Sequence, residues 1–191
     1  IPDFETAFLA GEPDFAFMNP YHVVMAHRAQ GYIPLVADKK PLSGILVVAA
    51  QGPIAQIQDL DGKKIAFPSP NAFGASLYMR ALLTEKFRIR FEPSYVKTHA
   101  NVYRQALMGD VAAGGGVNQT FADQPAELRA KLRVLYETPV AAPHPMTAHR
   151  RVPEKTRRAF SQAFLRLAED EAGKALLKEA RIPNPVSVEY A

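Results

Sequence analysis

The chain has no cysteine among its 191 residues. That excludes disulfides, thiol chemistry and a cysteine-based zinc site. It is compatible with an oxidising compartment without requiring one. No apolar run is long enough to span a bilayer, and no signal-peptide pattern is visible. Internal repeats and low-complexity stretches are absent too. So are the common catalytic signatures: there is no His-Glu-x-x-His, no Gly-x-Ser-x-Gly, no Gly-Lys-Ser/Thr of a P-loop and no acidic pair at strand ends. Five histidines are present, but they do not pair as metal ligands. His22 and His27 fall about 140° apart round a helix, and His144 and His149 would face opposite sides of a strand. No metal, no cofactor and no catalysis are expected.

Apolar residues make up 48% and charged residues 22% of the chain, the profile of a soluble globular protein with a real core. The net charge is +4 and the pI near 9.3. That excess suits an anionic ligand or an acidic partner surface and is too small and scattered for nucleic acid. The densest basic stretch is His149, Arg150, Arg151, Lys155, Arg157 and Arg158. It lacks interleaved aromatics and reads as a solvated helix start.

Along the chain, residues 3–10 read as the end of a helix closed by Gly11, and 14–18 as a short strand. Asn19-Pro20 caps and opens a helix running to about Gln30, with Gly31 stopping it. Strands are predicted at 33–37, 43–50, 64–67, 94–97, 111–113, 132–136 and 146–149. Helices are predicted from Asn71 to about Phe87, over 100–108 and near 124–131, then from Pro153 onward and over 172–180, with an irregular tail. Gly114-Gly-Gly116 reads as a turn or as a backbone anion nest. Strands alternating with helices imply an α/β fold with parallel sheets. Breaks near Gly52-Pro53 and in Pro139–Pro145 suit either two lobes crossed twice or one domain with a Pro-rich surface loop.

In open α/β sheets, ligands collect beyond the carboxyl ends of strands, against helix N-termini. Such junctions occur at Met18-Asn-Pro-Tyr-His22, at 67–76 and at Val96-Lys-Thr-His-Ala100. A helix N-terminus offers unpaired N–H groups and a partial positive charge, and so favours anions. The junction at 67–76 carries the most chemistry. Ser69, Asn71 and Ser76 supply side-chain donors, and Gly74 lets an oxyanion reach the backbone without meeting a Cβ. An ordinary capped helix is the plain alternative. His99 follows a strand directly and serves either an anion or the cap. Asn118, Gln119 and Thr120 add neutral hydrogen-bonding groups.

These segments occur in a recognisable order: residues 14–22, 59–76, 98–107, 109–117 and Pro143-His-Pro145. Together the chain resembles the phosphate/phosphite/phosphonate substrate-binding proteins of ABC transporters, which are type II periplasmic binding proteins. The resemblance implies a two-lobed α/β fold with parallel or mixed sheets flanked by helices, closing on a ligand in an interlobe cleft. Lobe one would hold 1–51 and 140–191, and lobe two 52–139. It implies an oxyanion cradle at Ser69–Ser76 using backbone N–H groups from Ala72 onward, through Phe73, Gly74 and Ala75, plus the Ser76 hydroxyl. Tyr21 and His99 would join it in the cleft. Aminoalkylphosphonate binders of this kind place carboxylates where this chain has Asn118, Gln119 and His144. A plain oxyanion (phosphate, phosphite or a small alkylphosphonate) is therefore expected. The implied partner is an ABC permease in the membrane, and the implied location periplasmic or extracytoplasmic. The alternatives are a ligand-sensing domain of a larger signalling protein, or an enzyme on the same fold. The family also begins with a strand, a helix and a second strand before the point matching Ile1. The expectation is therefore a fragment, or a first lobe completed by upstream residues or a second chain, with an unpaired edge on strand 14–18.

Overall fold

The structure is a computed structural model and describes residues 2–190. The chain divides into two compact units, residues 1–41 with 142–191 and residues 42–141. The first unit opens with helix α1 (Pro2–Leu9), strand β1 (Phe15–Phe17), helix α2 (Pro20–Gln30) and strand β2 (Ile33–Asp38). α2 forms where the sequence signals it. The Asn19 side chain accepts from the His22 amide, Pro20 occupies the first turn, and Gly31 closes the helix in the left-handed region at φ 71°.

The second unit contributes β3 (Gly44–Ala49), β4 (Lys63–Phe67), a continuous helix α3 over 73–86, β5 (Phe91–Tyr95), α4 (His99–Met108), β6 (Ala113–Val117), α5 (Asn118–Ala122), α6 (Ala126–Ala130) and β7 (Leu132–Glu137). The chain then returns to the first unit with β8 (Pro145–Ala148), α7 (Glu154–Leu167), α8 (Glu171–Glu179) and β9 (Pro185–Ser187).

The first unit's sheet has the order β1-β8-β2-β9, and every pair in it is antiparallel. This corrects the expectation of parallel strands. β1 and β2 both pair with the returning β8, and the tail read as irregular supplies β9. The core beneath α1 and α2 gathers Phe8, Ala16, Met18, Val23, Ala26 and Tyr32. Phe160 of α7 stacks on Phe15 at 4.4 Å. β1 is the outermost strand and pairs only with β8 among the described residues, which is the unpaired edge expected of strand 14–18.

The second unit's sheet runs β5-β4-β6-β3-β7. β4 lies parallel to β5 and to β6, while β3 is antiparallel to β6 and β7. Side chains alternate across it as a pleated strand requires. Leu46, Val48, Ile65 and Phe67 pack with Met79 and Leu83 of α3. Ile45, Val47 and Ala66 pack on the other face with Val102, Tyr103 and Ala106 of α4. The run Ile-Leu-Val-Val in β3 is continuous because that strand is covered on both faces. Each fully buried side chain of this kind contributes about 1.5–3 kcal/mol.

The sequence break near Gly52 put strand 43–50 in the first lobe, but β3 is the hydrogen-bonding partner of β6 and β7, so residues 42–51 belong with the middle unit. The glycine triplet is neither a turn nor a nest. Gly114, Gly115 and Gly116 lie inside β6.

Candidate functional site

β5, β4 and β6 are parallel, so their carboxyl ends share one edge of the second unit's sheet. β4 leads through 68–72 into α3, β5 leads through 96–98 into α4, and β6 leads directly into α5. The first turns of these helices therefore gather at that edge, the place where α/β sheets hold ligands. Their amides are not equally available. At α4 the Thr98 hydroxyl accepts from Asn101 N–H at 3.2 Å. At α5 the Asn118 amide donates to Ser43 O at 3.1 Å, and the Gln119 amide donates to Asn118 Oδ1 at 2.9 Å. At α3 the capping residue is Ala72, which has no side chain to offer. The N–H groups of Phe73, Gly74 and Ala75 open this helix, where no preceding turn supplies carbonyls. α3 is thus the anion-ready end of the three.

α3 begins and ends with π-helical turns: Leu77 N–H reaches Ala72 O, and Phe87 N–H reaches Leu82 O, each five residues back. Such turns recur at functional sites. Ser76 is fully buried in the first of them. Arg80, one turn on, donates through Nε to Ser76 Oγ at 3.2 Å and through Nη2 to Pro70 O at 3.0 Å. Its guanidinium carbon stands 5.9 Å from the centre of the Tyr95 ring. One cation thus ties the loop to the helix behind the cradle. Because Ser76 Oγ accepts from Arg80, its own hydrogen is left to donate. Ser69 Oγ is buried with no hydrogen-bond partner among the described residues, an unmatched donor in the same loop. Phe73 stacks on Tyr78 at 5.8 Å.

The glycine triplet seats these helices. A Cβ on Gly115 would lie 2.2 Å from the Ala75 carbonyl oxygen and 2.5 Å from the Phe67 ring, and one on Gly116 would lie 2.2 Å from Tyr103 Oη. Only glycine lets α3 and α4 approach β6 this closely. At the start of β3, Gly44 does the same for α3, where an added Cβ would meet Gly74 O at 2.1 Å.

His99 opens α4, and its Nδ1 lies 3.2 Å from Thr120 Oγ1. Burial lowers its pKa to about 4, so the ring is neutral at physiological pH. Tyr103, one turn along, meets the same hydroxyl at 2.8 Å, and burial pushes its pKa up to about 12. The edge thus offers neutral donors, backbone dipoles and the Arg80 cation, together with the Glu137 carboxylate at the end of β7, which accepts from the Ser43 hydroxyl. Ser69, Asn71, Ala72, Phe73, Gly74, Ala75, Ser76, His99 and Asn118 all fall at this edge of the second unit. Tyr21 and His144 belong to the first unit. Tyr21 lies in the first turn of α2, and the His144 ring stands 5.6 Å from that of Phe17. Arg80 and Tyr103 went unremarked in the sequence. The available signal was spacing, since Ser76 with Arg80 and His99 with Tyr103 are both helical i, i+4 pairs.

The His99 shift has a measurable consequence. The unfolded chain binds a proton on this ring near pH 6.5, and the folded chain only near pH 4. Between those values acid favours the unfolded state. Stability therefore falls as pH drops through that window, by about 1.4 kcal/mol per unit at most, and levels off below it. In His99→Gln this part of the acid loss is expected to vanish, as read by urea unfolding across the window. An unchanged pH slope in the variant would contradict it.

The chain belongs to the family described as ABC transporter, phosphonate, periplasmic substrate-binding protein, whose sequence profile matches residues 1–190. Solved structures repeat the fold. A binding-protein component of an ABC phosphonate transporter from Pseudomonas aeruginosa aligns at TM-score 0.82 and 12% identity, over 98% of this chain and 68% of that one. PhnD1 of Prochlorococcus marinus in complex with methylphosphonate aligns at 0.84 and 15%, over 98% and 77%. A Xanthomonas citri protein bound to chloride ion aligns at 0.83 and 13%, over 98% and 75%. Comparison with curated protein sequences finds no match. The family is one of periplasmic substrate-binding proteins of ABC transporters.

Proposed function

We propose that this chain binds a small phosphorus oxyanion (phosphate, phosphite or a short alkylphosphonate) at residues 69–76 and hands it unchanged to an ABC permease. The observation that carries this is the uncapped first turn of α3. Its amides stand at the carboxyl edge of parallel strands, with the Ser76 hydroxyl hydrogen and Ser69 Oγ both available. Hydrogen bonds from such groups to an anion are about twice as strong as neutral ones. No carboxylate takes part in the hydrogen bonds of Ser76, His99 or Tyr103, and Glu137, which ends β7 at the same edge, is already engaged by the Ser43 hydroxyl. This favours a plain oxyanion over an aminoalkylphosphonate. The groups in place hold an anion and do not activate a nucleophile, so no chemical step is proposed. The P. marinus relative solved with methylphosphonate makes that ligand the first to try.

A thermal-shift screen with phosphate, phosphite, methylphosphonate, 2-aminoethylphosphonate and sulfate tests the proposal. At about 100 times Kd a ligand stabilises by roughly 2.7 kcal/mol. Phosphate, phosphite or methylphosphonate is expected to raise the melting temperature most. A melt that moves only with 2-aminoethylphosphonate, or with none of the anions, would reject the reading.

A further inference from the structure

Thr120 stands where several hydrogen bonds meet. Its Oγ1 lies 2.8 Å from Tyr103 Oη, 3.2 Å from His99 Nδ1 and 3.1 Å from the Val117 carbonyl oxygen. A hydroxyl has one hydrogen to give and two acceptor sites. The Val117 carbonyl only accepts, so making all three bonds requires Thr120 to donate to it. Both acceptor sites of Thr120 are then filled, one by Tyr103 O–H and the other by His99 Nδ1–H. The opposite assignment, with Thr120 donating to Nδ1, gives up the Thr120–Val117 bond and leaves that carbonyl the Phe121 amide of the first turn of α5 and Tyr103 Oη at 3.5 Å. In this part-buried setting the first arrangement makes all three of the Thr120 bonds and the second only two, which favours the first.

We propose that Thr120 locks His99 in its Nδ1–H tautomer, that Nε2 meets the ligand as an acceptor, and that the site therefore selects phosphorus oxyanions still carrying one proton over fully ionised ones. This rests on the cradle reading above and narrows it. The cradle amides and Ser76 donate to ionised oxygens, whereas a bare Nε2 repels an ionised oxygen and accepts from a P–OH group. Among the described residues the ring's one hydrogen bond is through Nδ1, and His99 begins α4 at the carboxyl edge that also holds 69–76. Burial keeps the ring neutral, so Nε2 does not become a donor by taking up a proton near pH 7. The titratable group packed against the ring is Tyr103 on its own helix, held neutral with its pKa near 12. The charged group on the facing α5 segment is Asp123, which acts on Tyr103. A singly protonated phosphonate or phosphate satisfies donors and acceptor together. Sulfate and sulfonates have no proton to give at neutral pH and leave Nε2 unmatched, a difference of the kind that sets specificity.

The test is titration calorimetry of the whole chain with methylphosphonate between about pH 6 and pH 9, with methanesulfonate as the comparator that never carries a proton. Methylphosphonate affinity is expected to fall about tenfold per pH unit above the ligand's second ionisation, as the protonated fraction falls. Methanesulfonate is expected to bind at least about a hundredfold more weakly. In Thr120→Val, which keeps the shape and removes the hydroxyl, the pH profile flattens and the gap to methanesulfonate narrows. Nitrogen-15 spectra of the His99 ring read the tautomer without any variant, and Nε2 is expected to show the signal of an unprotonated nitrogen. Tight methylphosphonate binding with a flat or rising profile, or an Nε2–H ring, overturns this proposal and leaves the cradle standing. No methylphosphonate binding at any pH overturns both.

Discussion

Gly74→Asp is expected to weaken oxyanion binding by at least about a hundredfold, a larger loss than Gly74→Ala causes. The variant puts a carboxylate on the first turn of α3, among the amides proposed to hold the ligand. Two unit charges about 4 Å apart repel by about 4 kcal/mol at the effective dielectric of a protein surface, and every 1.4 kcal/mol is tenfold in affinity. The change also costs stability, because Gly74 is buried and the carboxylate is unpaired there. A Cβ there would meet Val117 Cγ1 at 3.3 Å, Leu42 Cδ2 at 3.4 Å and the Gly44 nitrogen at 3.5 Å, so the neighbours must give way even before the carboxylate is added. Gly74 also lies outside the positive-φ glycines. Calorimetry and the melting curve separate the two effects. Gly74→Ala is the control, adding the Cβ without the charge. Unchanged affinity in Gly74→Asp would mean that the anion binds elsewhere.

Gly115→Ala acts the other way, through the fold. The added carbon would sit 2.2 Å from Ala75 O and 2.5 Å from Phe67 Cδ1. One of these is backbone and the other a fully buried ring, so neither yields cheaply. Overpacking of this kind costs about 1–3 kcal/mol, and more where backbone must shift. The strain falls on the first turn of α3, so ligand affinity should drop along with stability. Urea unfolding and calorimetry on one preparation check both. A variant as stable as the parent would show that α3 is not seated on β6 as described here.

These two glycines mark what the sequence disclosed and what it withheld. Gly74 was legible, because a Ser-Pro-Asn opening after an apolar strand, followed by a glycine, is a local pattern with a local meaning. Asn19, Pro20 and Gly31 bound α2 for the same reason. Gly115 was not legible. Three glycines in a row read as a turn, and only the helices lying on both faces of β6 reveal them as spacers. The same limit explains the sheets. Residues 44–49 are apolar enough for any buried strand, and nothing local says that their partners are β6 and β7. Nor does a strand near 146 announce that it returns to pair antiparallel with both β1 and β2. Within the site, Ser76 and His99 were visible as residue types at helix starts. The arrangement behind them, Arg80 on Ser76 and Thr120 between His99 and Tyr103, depends on side-chain approaches that spacing alone only hints at.

The most direct measurement is of the amides themselves. In nitrogen-15 proton spectra recorded while methylphosphonate is titrated in, Phe73, Gly74 and Ala75 are predicted to shift most. Their signals should move downfield and saturate at the same ligand concentration as the heat of binding. That result would place the oxyanion on the first turn of α3, supported by Ser76 and backed by Arg80. Saturable binding that leaves those three signals in place while others move would contradict the account.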